Sequence, residues 1–341
     1  VFAGPGTVSG NTIAFSGTIG NQQLTSGVTY DIVLFTVPST LPTPAPTATP
    51  VASAQHLYTI VATANGPGIA KFALPLTPSS TPVVTAPAPL TASDSTIGSS
   101  LAVNAAHVVY TDVVSDAFFV LDQPIGSSSR PSATFCYSGC GDHQNSHSLM
   151  TVALSPFGFL AGTDAGAGGP VASSVLHFYN APFSNQTVSA SSQQLTHPAA
   201  GLIYDAAGNL FAAGSMFTSS GDVDEFAGNV LLAHVTAPIF VTSVAVNANQ
   251  LAVAGSTGSP CTGTVLIYTL PLTSSSTPSA TITNGVGGSC RYFVALDSAG
   301  YLYVSGTTPG LSAYAPPLSS SSSPSATLAT GNLTNQIAIG P

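Results

Sequence analysis

Val265-Leu-Ile-Tyr268-Thr-Leu-Pro271-Leu-Thr-Ser-Ser-Ser-Thr-Pro278-Ser-Ala-Thr281 returns further along the chain as Leu311-Ser-Ala-Tyr314-Ala-Pro-Pro317-Leu, five serines, then Pro324-Ser-Ala-Thr327. A fainter copy reads Val120-Leu-Asp-Gln-Pro124, a serine run, then Pro131-Ser-Ala-Thr134. A long internal period means stacked copies of one supersecondary unit, because a single copy cannot bury its own apolar face. A second phrase repeats with the first. Leu202-Ile-Tyr-Asp205-Ala-Ala-Gly208-Asn-Leu210-Phe-Ala-Ala-Gly214 recurs as Val294-Ala-Leu-Asp297-Ser-Ala-Gly300-Tyr-Leu302-Tyr-Val-Ser-Gly306, and more loosely at residues 244–255, 152–162 and 101–111. Asp or Asn close to Gly between alternating apolar runs signals a hairpin, since these residues tolerate positive φ.

Each hairpin leads to a strand ending in an aromatic or large apolar residue: Phe72, Val120, Phe178, Phe226, Tyr268 and Tyr314. A Ser/Thr/Pro-rich turn and a fourth strand follow in most copies. Second strands start near residues 57, 108, 158, 209, 251 and 301, in steps of roughly 50 with one near 42. That spacing predicts an all-β, six-bladed β-propeller over residues 51–341. The ends complement each other. Gln336-Ile-Ala-Ile-Gly-Pro341 reads as a first strand cut off at its turn, and Ser53-Ala-Gln-His56-Leu57-Tyr58-Thr59-Ile60 as the turn and second strand it lacks. One blade shared by both termini would close the ring.

The D-x-x-G-x-L-[YF]-[VA] hairpin and the Tyr-x-x-P-x-(S/T)n-P-S-A-T turn resemble NHL-type six-bladed propellers of secreted bacterial proteins. The resemblance covers about residues 51–341 and implies the fold. Propellers of that type include binding scaffolds, lyases and lactonases, so it leaves activity open. The gluconolactonase and amidating-lyase types place a metal near the central channel. No residue of this chain matches their ligand sets, and none is carried over.

Composition bounds the rest. Charged residues make up 4% of 341 residues, against roughly 25% in ordinary globular chains. Mean hydropathy is +0.40, yet no apolar run approaches the ~18 residues of a spanning helix. Short apolar runs broken by Gly and Pro are all-β patterning. A net charge of −9, with only Lys71, Arg130 and Arg291 basic, argues against nucleic acid and anionic membrane partners, and no membrane insertion is expected. The start at Val1 without a signal peptide reads as a processed form, which makes the expected location extracellular or cell-surface.

Cysteines fall as Cys136 with Cys140 and Cys261 with Cys290. An even count in a secreted-looking chain favours disulfides in those pairs, with zinc as the rival reading. Scarcity of Lys and Arg suits an acidic exterior, since accumulated positive charge helps drive acid unfolding. Compositional drift in a surface protein explains it equally well.

Residues 1–38 depart from the blade pattern and are expected to form a small N-terminal β arm. The arm holds Asn11-Thr-Ile13-Ala-Phe15 and the uncharged run Ile32, Val33, Leu34, Phe35, Thr36 and Val37. An exposed strand of that character would aggregate and must be covered, by its own propeller or by another molecule. Residues 39–50 carry prolines at 42, 44, 46 and 50 and no charge, which makes a stiff, extended linker.

Candidate chemistry is sparse. Turns between second and third strands are expected to carry Asp112, Asp116, Asp164, Asp222, Asp224 and Glu225, and connections between blades Asp142, His143 and His147. Such a face could ligate Ca²⁺ or Zn²⁺, although short polar residues populate turns for conformational reasons alone. His56, His107, His177, His197 and His234 are scattered and read as ordinary strand and turn residues. Asp205 and Asp297 read as turn formers. No H-E-x-x-H, G-x-S-x-G or phosphate loop occurs, so no catalytic residue, metal ligand or cofactor is assigned. Asn185 and Asn332 match N-glycosylation acceptors, and residues 274–276 and 319–323 read as solvated loops able to carry O-glycans. The reading that follows is a secreted structural subunit whose partners are copies of itself. A carbohydrate or surface-ligand binder and a metal-dependent lactonase- or lyase-like enzyme are the alternatives.

Overall fold

Each copy of the repeat folds as a four-stranded antiparallel meander, and six such blades form a β-propeller in this computed structural model. The structure describes residues 6–9, 12–15, 55–63, 66–88, 100–112, 117–136, 150–164, 175–215, 220–258, 262–287, 292–306, 310–329 and 333–341. The chain divides into two units, Val1–Val51 and Ala52–Pro341. In the first, β1 (Gly6–Ser9) and β2 (Thr12–Phe15) pair as an antiparallel hairpin. The apolar run at 32–37 and the linker lie outside the described residues.

The second unit is the propeller. Blade 1 contains β3 (His56–Thr63), β4 (Gly66–Ala73) and β5 (Val84–Pro87). Blade 2 runs β6 (Leu101–Val103), β7 (His107–Asp112), β8 (Ala117–Asp122) and β9 (Ala133–Cys136). Blade 3 runs β10 (Met150–Leu154), β11 (Phe159–Asp164), β12 (Val175–Asn180) and β13 (Ser191–Gln194). Blade 4 runs β14 (Gly201–Tyr204), β15 (Leu210–Gly214), β16 (Gly221–Ala227) and β17 (Val230–Ala237). Blade 5 runs β18 (Phe240–Val246), β19 (Gln250–Thr257), β20 (Thr262–Thr269) and β21 (Ala280–Ile282). Blade 6 runs β22 (Phe293–Leu296), β23 (Leu302–Ser305), β24 (Gly310–Tyr314) and β25 (Ala326–Ala329). The last strand, β26 (Leu333–Gly340), returns to blade 1 and pairs with β3, setting Ile337 opposite Thr59 and Ile339 opposite Leu57. The shared blade expected from the two ends is therefore present.

The buried apolar residues form six clusters, one at each seam between neighbouring blades. Alternate residues of one strand serve opposite seams, as the two-residue period of a strand requires. Leu251 and Val253 of β19 pack toward blade 4, while Ala252 and Ala254 pack toward blade 6. The closing seam joins Leu57 and Phe72 of blade 1 to Tyr303 and Leu311 of blade 6. Burial on both faces explains the continuous apolar runs. Hydroxyls stitch the same seams. The Val152 N–H donates to Ser100 Oγ at 3.1 Å, the Val294 N–H to Ser243 Oγ at 3.2 Å, and the Thr242 hydroxyl to the Tyr292 carbonyl at 2.7 Å. Where the connection between blades presses on a second strand, only glycine fits. A side chain at Gly214 would meet the Pro198 carbonyl, and one at Gly255 the Phe240 carbonyl.

The serine runs have a conformational role. In five blades the third strand ends at a cis X–Pro bond, at Pro75, Pro124, Pro182, Pro271 and Pro317. The turn after it closes on a hydroxyl: the Thr273 N–H donates to Ser276 Oγ and the Ser319 N–H to Ser322 Oγ, both at 2.9 Å. In the Pro-Ser-Ala-Thr phrase, Ser279 gives both its N–H and its hydroxyl to the Ile267 carbonyl, at 2.7 and 3.0 Å. Blade 4 lacks this turn. Its β16 and β17 are joined by Gly228 and Asn229, with Gly228 at a φ of +58°. That substitution is the cause of the one short step in the period.

The ring is held shut at blade 1 by more than backbone pairing. The Tyr58 hydroxyl donates to the Pro341 carbonyl at 2.6 Å, and Lys71 Nζ reaches the same oxygen at 3.2 Å. Removing residues 336–341 should cost more than about 3 kcal/mol, because it strips the buried Ile337 from its seam and exposes the inner edge of β3. Chemical denaturation of the truncated protein checks this; an unchanged midpoint would refute closure through β26.

Candidate functional site

Two places gather side chains with chemical potential: the central channel and a histidine–carboxylate cluster on blade 4. The channel is lined by β6, β10, β14, β18, β22 and β26 and encloses a cavity of 180 Å³. Its side chains are mainly Leu, Val, Ile and Ala, with Ser100, Ser243, Tyr204, Gln55 and Gln336 as the polar members. Ca²⁺ takes carboxylate, Asn/Gln and backbone carbonyl oxygens, and Zn²⁺ takes imidazole, thiolate or carboxylate. Among the described residues lining this channel there is no carboxylate, imidazole or thiolate, so they supply no zinc ligand, and for Ca²⁺ they offer only the side-chain oxygens of glutamine, serine and tyrosine with backbone carbonyls. Nor do the described residues elsewhere contain a group of three or more His, Cys, Asp or Glu arranged to hold a metal.

The cluster forms where the antiparallel register brings two sequence-distant histidines onto one carboxylate. Asp224 of β16 lies opposite His234 of β17, and Asp222 opposite Thr236. His234 Nδ1 donates to Asp224 Oδ1 at 2.7 Å, and the Thr236 hydroxyl to Asp222 Oδ1 at 3.1 Å. From the connection between blades 3 and 4, His197 Nε2 donates to Asp224 Oδ2 at 3.2 Å. His197 is almost wholly buried, and its Nδ1 faces the Pro198 carbonyl at 3.2 Å. Both ring nitrogens of His197 thus meet groups that can only accept. Burial alone would lower its pKa, but the hydrogen bonds to Asp224 and Pro198 and the nearby carboxylates override it and raise it above the ordinary 6.5. Asp224 mirrors this: burial pushes its carboxyl up, and the two histidines pull it below 3.8. The result is a buried ion pair with a half-exposed second imidazole at its outer end.

This arrangement corrects the sequence-based placement. Asp222, Asp224 and Glu225 lie within strand β16 and not in the preceding turn, because Val223 and Phe226 alternate with them into the seams. Asp222 and Asp224 share one face, and Glu225 points to the other. There its carboxyl is raised by burial and by the charge of Asp205, while the Leu272 backbone N–H binds it. His197 and His234, read as ordinary residues, are the ones brought together. The only available sign was the D-x-D spacing at 222 and 224, which places both carboxylates on one strand face opposite His234. Asp112 is buried at the end of β7, and Asp164 ends β11. Asp116, Asp142, His143 and His147 lie outside the described residues.

The remaining candidates have structural partners. Asp205 Oδ1 accepts from the Asn209 N–H at 2.7 Å, and Asp297 Oδ1 from the Tyr301 N–H at 2.8 Å, closing hairpins whose Gly208 and Gly300 have φ near +90°. His56 lies at the start of β3, His107 at the start of β7, and His177 bonds Ser189 Oγ at 3.1 Å. Asn185 is exposed, and its Oδ1 accepts from the Thr134 N–H of blade 2 at 2.8 Å, so it bridges blades whether or not it carries a glycan. Cys136 ends β9 and is not a free thiol. Cys140, Cys261, Cys290 and Asn332 lie outside the described residues.

The His197–Asp224 pair gives a pH signature. His197, with its raised folded pKa, contributes fully below 6.5 and loses that contribution as pH rises through its folded value. Asp224, with its lowered folded pKa, contributes above 3.8 and loses it as pH falls through its folded value. The pair is therefore at full strength between these limits. His197→Gln should destabilise the protein by about 3 kcal/mol at pH 5, since it leaves a buried carboxylate short of its partner. The penalty should shrink at pH 8 and above. Thermal melts of both proteins across pH 3–9 test this; a penalty independent of pH would refute the ion pair.

No family model and no curated protein matches the chain. Among solved structures, it is similar to a candidate 6-phosphogluconolactonase from Bacteroides fragilis at 13% identity, over 83% of each chain, with a TM-score of 0.50. It is similar to a functionally unknown protein from Desulfotomaculum acetoxidans at 12% identity, over 83% of this chain and 98% of that one, also at 0.50. A gluconolactonase from Xanthomonas campestris aligns at 12% identity over 65% of this chain and 74% of that one, with a TM-score of 0.43. At such identities the likeness is one of fold: the chain is a six-bladed β-propeller.

Proposed function

We propose that the chain is an extracellular structural subunit whose copies assemble through the N-terminal β arm of residues 1–38, linked by the stiff segment 39–50 to a propeller body. The observation that carries this reading is the composition of the arm. Ile32, Val33, Leu34, Phe35 and Val37 form an uncharged β-branched and aromatic run, and strand addition to a neighbour's sheet edge would satisfy its backbone and its side chains together. Few charges oppose the close packing of like subunits.

Measuring particle mass in solution for the full chain and for a form lacking residues 1–38 tests this. Large particles for the first and monomers for the second are expected. Monomers for both at high concentration would end the assembly reading. Cys136–Cys140 and Cys261–Cys290 bridges belong to the same extracellular reading, with glycans on Asn185 and Asn332 as an optional addition. Non-reducing peptide mapping should recover both bridged pairs. Four free thiols or bound zinc would overturn the location. The second reading is a ligand-binding or metal-dependent propeller; for ligand binding the blade 4 cluster speaks in its favour, since Asp222 and His234 reach the surface there. Stoichiometric Ca²⁺ or Zn²⁺ in the purified protein would place it first.

A further inference from the structure

The outer strand of blade 4 differs from its counterparts in length, the property that sets how much partner strand an edge can recruit. In the other five blades that strand has three or four residues. In blade 4, β17 has eight. Its sequence, Val-Leu-Leu-Ala-His-Val-Thr-Ala, contains no Pro, Lys, Arg, Asp or Glu. Shortness, proline, charge and bulges are the ordinary protections of an edge, and of these this edge has only a bulge at Leu232. Two of the short outer strands are also capped by the next blade's turn, through Asn185 over Thr134 and Ser320 over Thr281. β17 has no such cap among the described residues.

The free end of β17 is also apolar. Val230, Leu231 and Leu232 are 64%, 52% and 53% exposed, three adjacent members of the seven exposed large hydrophobics among the described residues. The register slips between Glu225 and Phe226, so Leu232 is an extra residue that bulges toward the hairpin end. Beyond it, Ala233, Val235 and Ala237 alternate into the seam with blade 5 and leave a regular outward edge.

We propose that this edge is the acceptor for residues 32–37 of a second copy of the chain. The proposal rests on the assembly reading above and specifies where the arm binds. Six residues in extended form span roughly 20 Å, and β17 offers roughly 27 Å. Residues 32–37 carry no charge, and β17 carries no Lys, Arg, Asp or Glu, its one titratable residue being His234, already paired with Asp224. Position supplies the direction. The chain enters the ring at His56 in blade 1, and the first strands contact one another in the order β6, β10, β14, β18, β22, β26 and back to β6. Blade 4 is therefore opposite blade 1. A linker of twelve residues in polyproline form reaches about 37 Å from that point. Donor segment and acceptor edge are different surfaces, so the contact is heterologous and runs on as a filament where its rotation does not close a ring.

Two full-length variants separate donor from acceptor. Leu231→Lys with Leu232→Lys charges the edge at half-exposed positions, and Val33→Asp with Phe35→Asp charges the arm. Each alone should be monomeric, and an equimolar mixture should give a dimer and nothing longer, since one partner keeps only its arm and the other only its edge. Val230→Lys provides a second edge variant should the double substitution impair folding, with circular dichroism as the control. An edge variant that still forms wild-type particles, or a mixture that stays monomeric, overturns β17 as the acceptor. An arm variant that still assembles removes the arm reading itself, and the β17 proposal with it.

Discussion

Every blade is buried on both faces, and the rest of the molecule depends on that one constraint. In a closed ring of six sheets each strand face meets a neighbouring blade, so a charged residue has almost nowhere to sit except a turn or an outer edge. Mean hydropathy rises to +0.40 with that burial, while the exposed turns carry Ser, Thr and Pro at positions where charge could sit. The same constraint makes closure decisive. Each seam holds its own apolar cluster, and the seam of Leu57, Phe72, Tyr303 and Ile337 exists only because β26 returns to blade 1. An open ring would leave one such cluster in water, at roughly 25 cal/mol for each Å² of apolar surface.

Polar residues are then held to narrow tasks. Hydroxyls in the serine runs close the turns after the third strands, and Asp205 and Asp297 close the hairpins ahead of the second strands. Ser100, Thr242 and Ser243 tie neighbouring blades together. Against that background the His197, Asp224 and His234 group stands out, because a buried carboxylate between two imidazoles is a costly arrangement to maintain. Its geometry suits an ion pair locking the connection between blades 3 and 4. Among the described residues the group is not one arranged to hold a metal ion.

Blade 4 is where the repeat departs from its own pattern. A two-residue hairpin replaces the proline–serine turn, and the outer strand doubles in length as a result. Both unusual features of the surface, the half-exposed His234 and the apolar tip of β17, follow from that one replacement. A short turn lets the fourth strand pair along the full length of the third, which carries Asp222 and Asp224 into register with Thr236 and His234.

The amino-acid sequence by itself determined the architecture. Repeats at Tyr268 and Tyr314, hairpins at Asp205 and Asp297, and complementary ends at Ile60 and Ile337 are local patterns, and a local pattern copied six times leaves a single arrangement in which all copies bury their faces. It also marked the blade 4 irregularity, as a short step in the period. It did not place Asp222, Asp224 and Glu225, because alternation with Val223 and Phe226 can be told from a polar turn only once the neighbouring seams are known. Nor did it join His197 to His234. That contact depends on the pairing of β16 with β17 and on the packing of one blade's connection against the next, so the tertiary structure alone decided it.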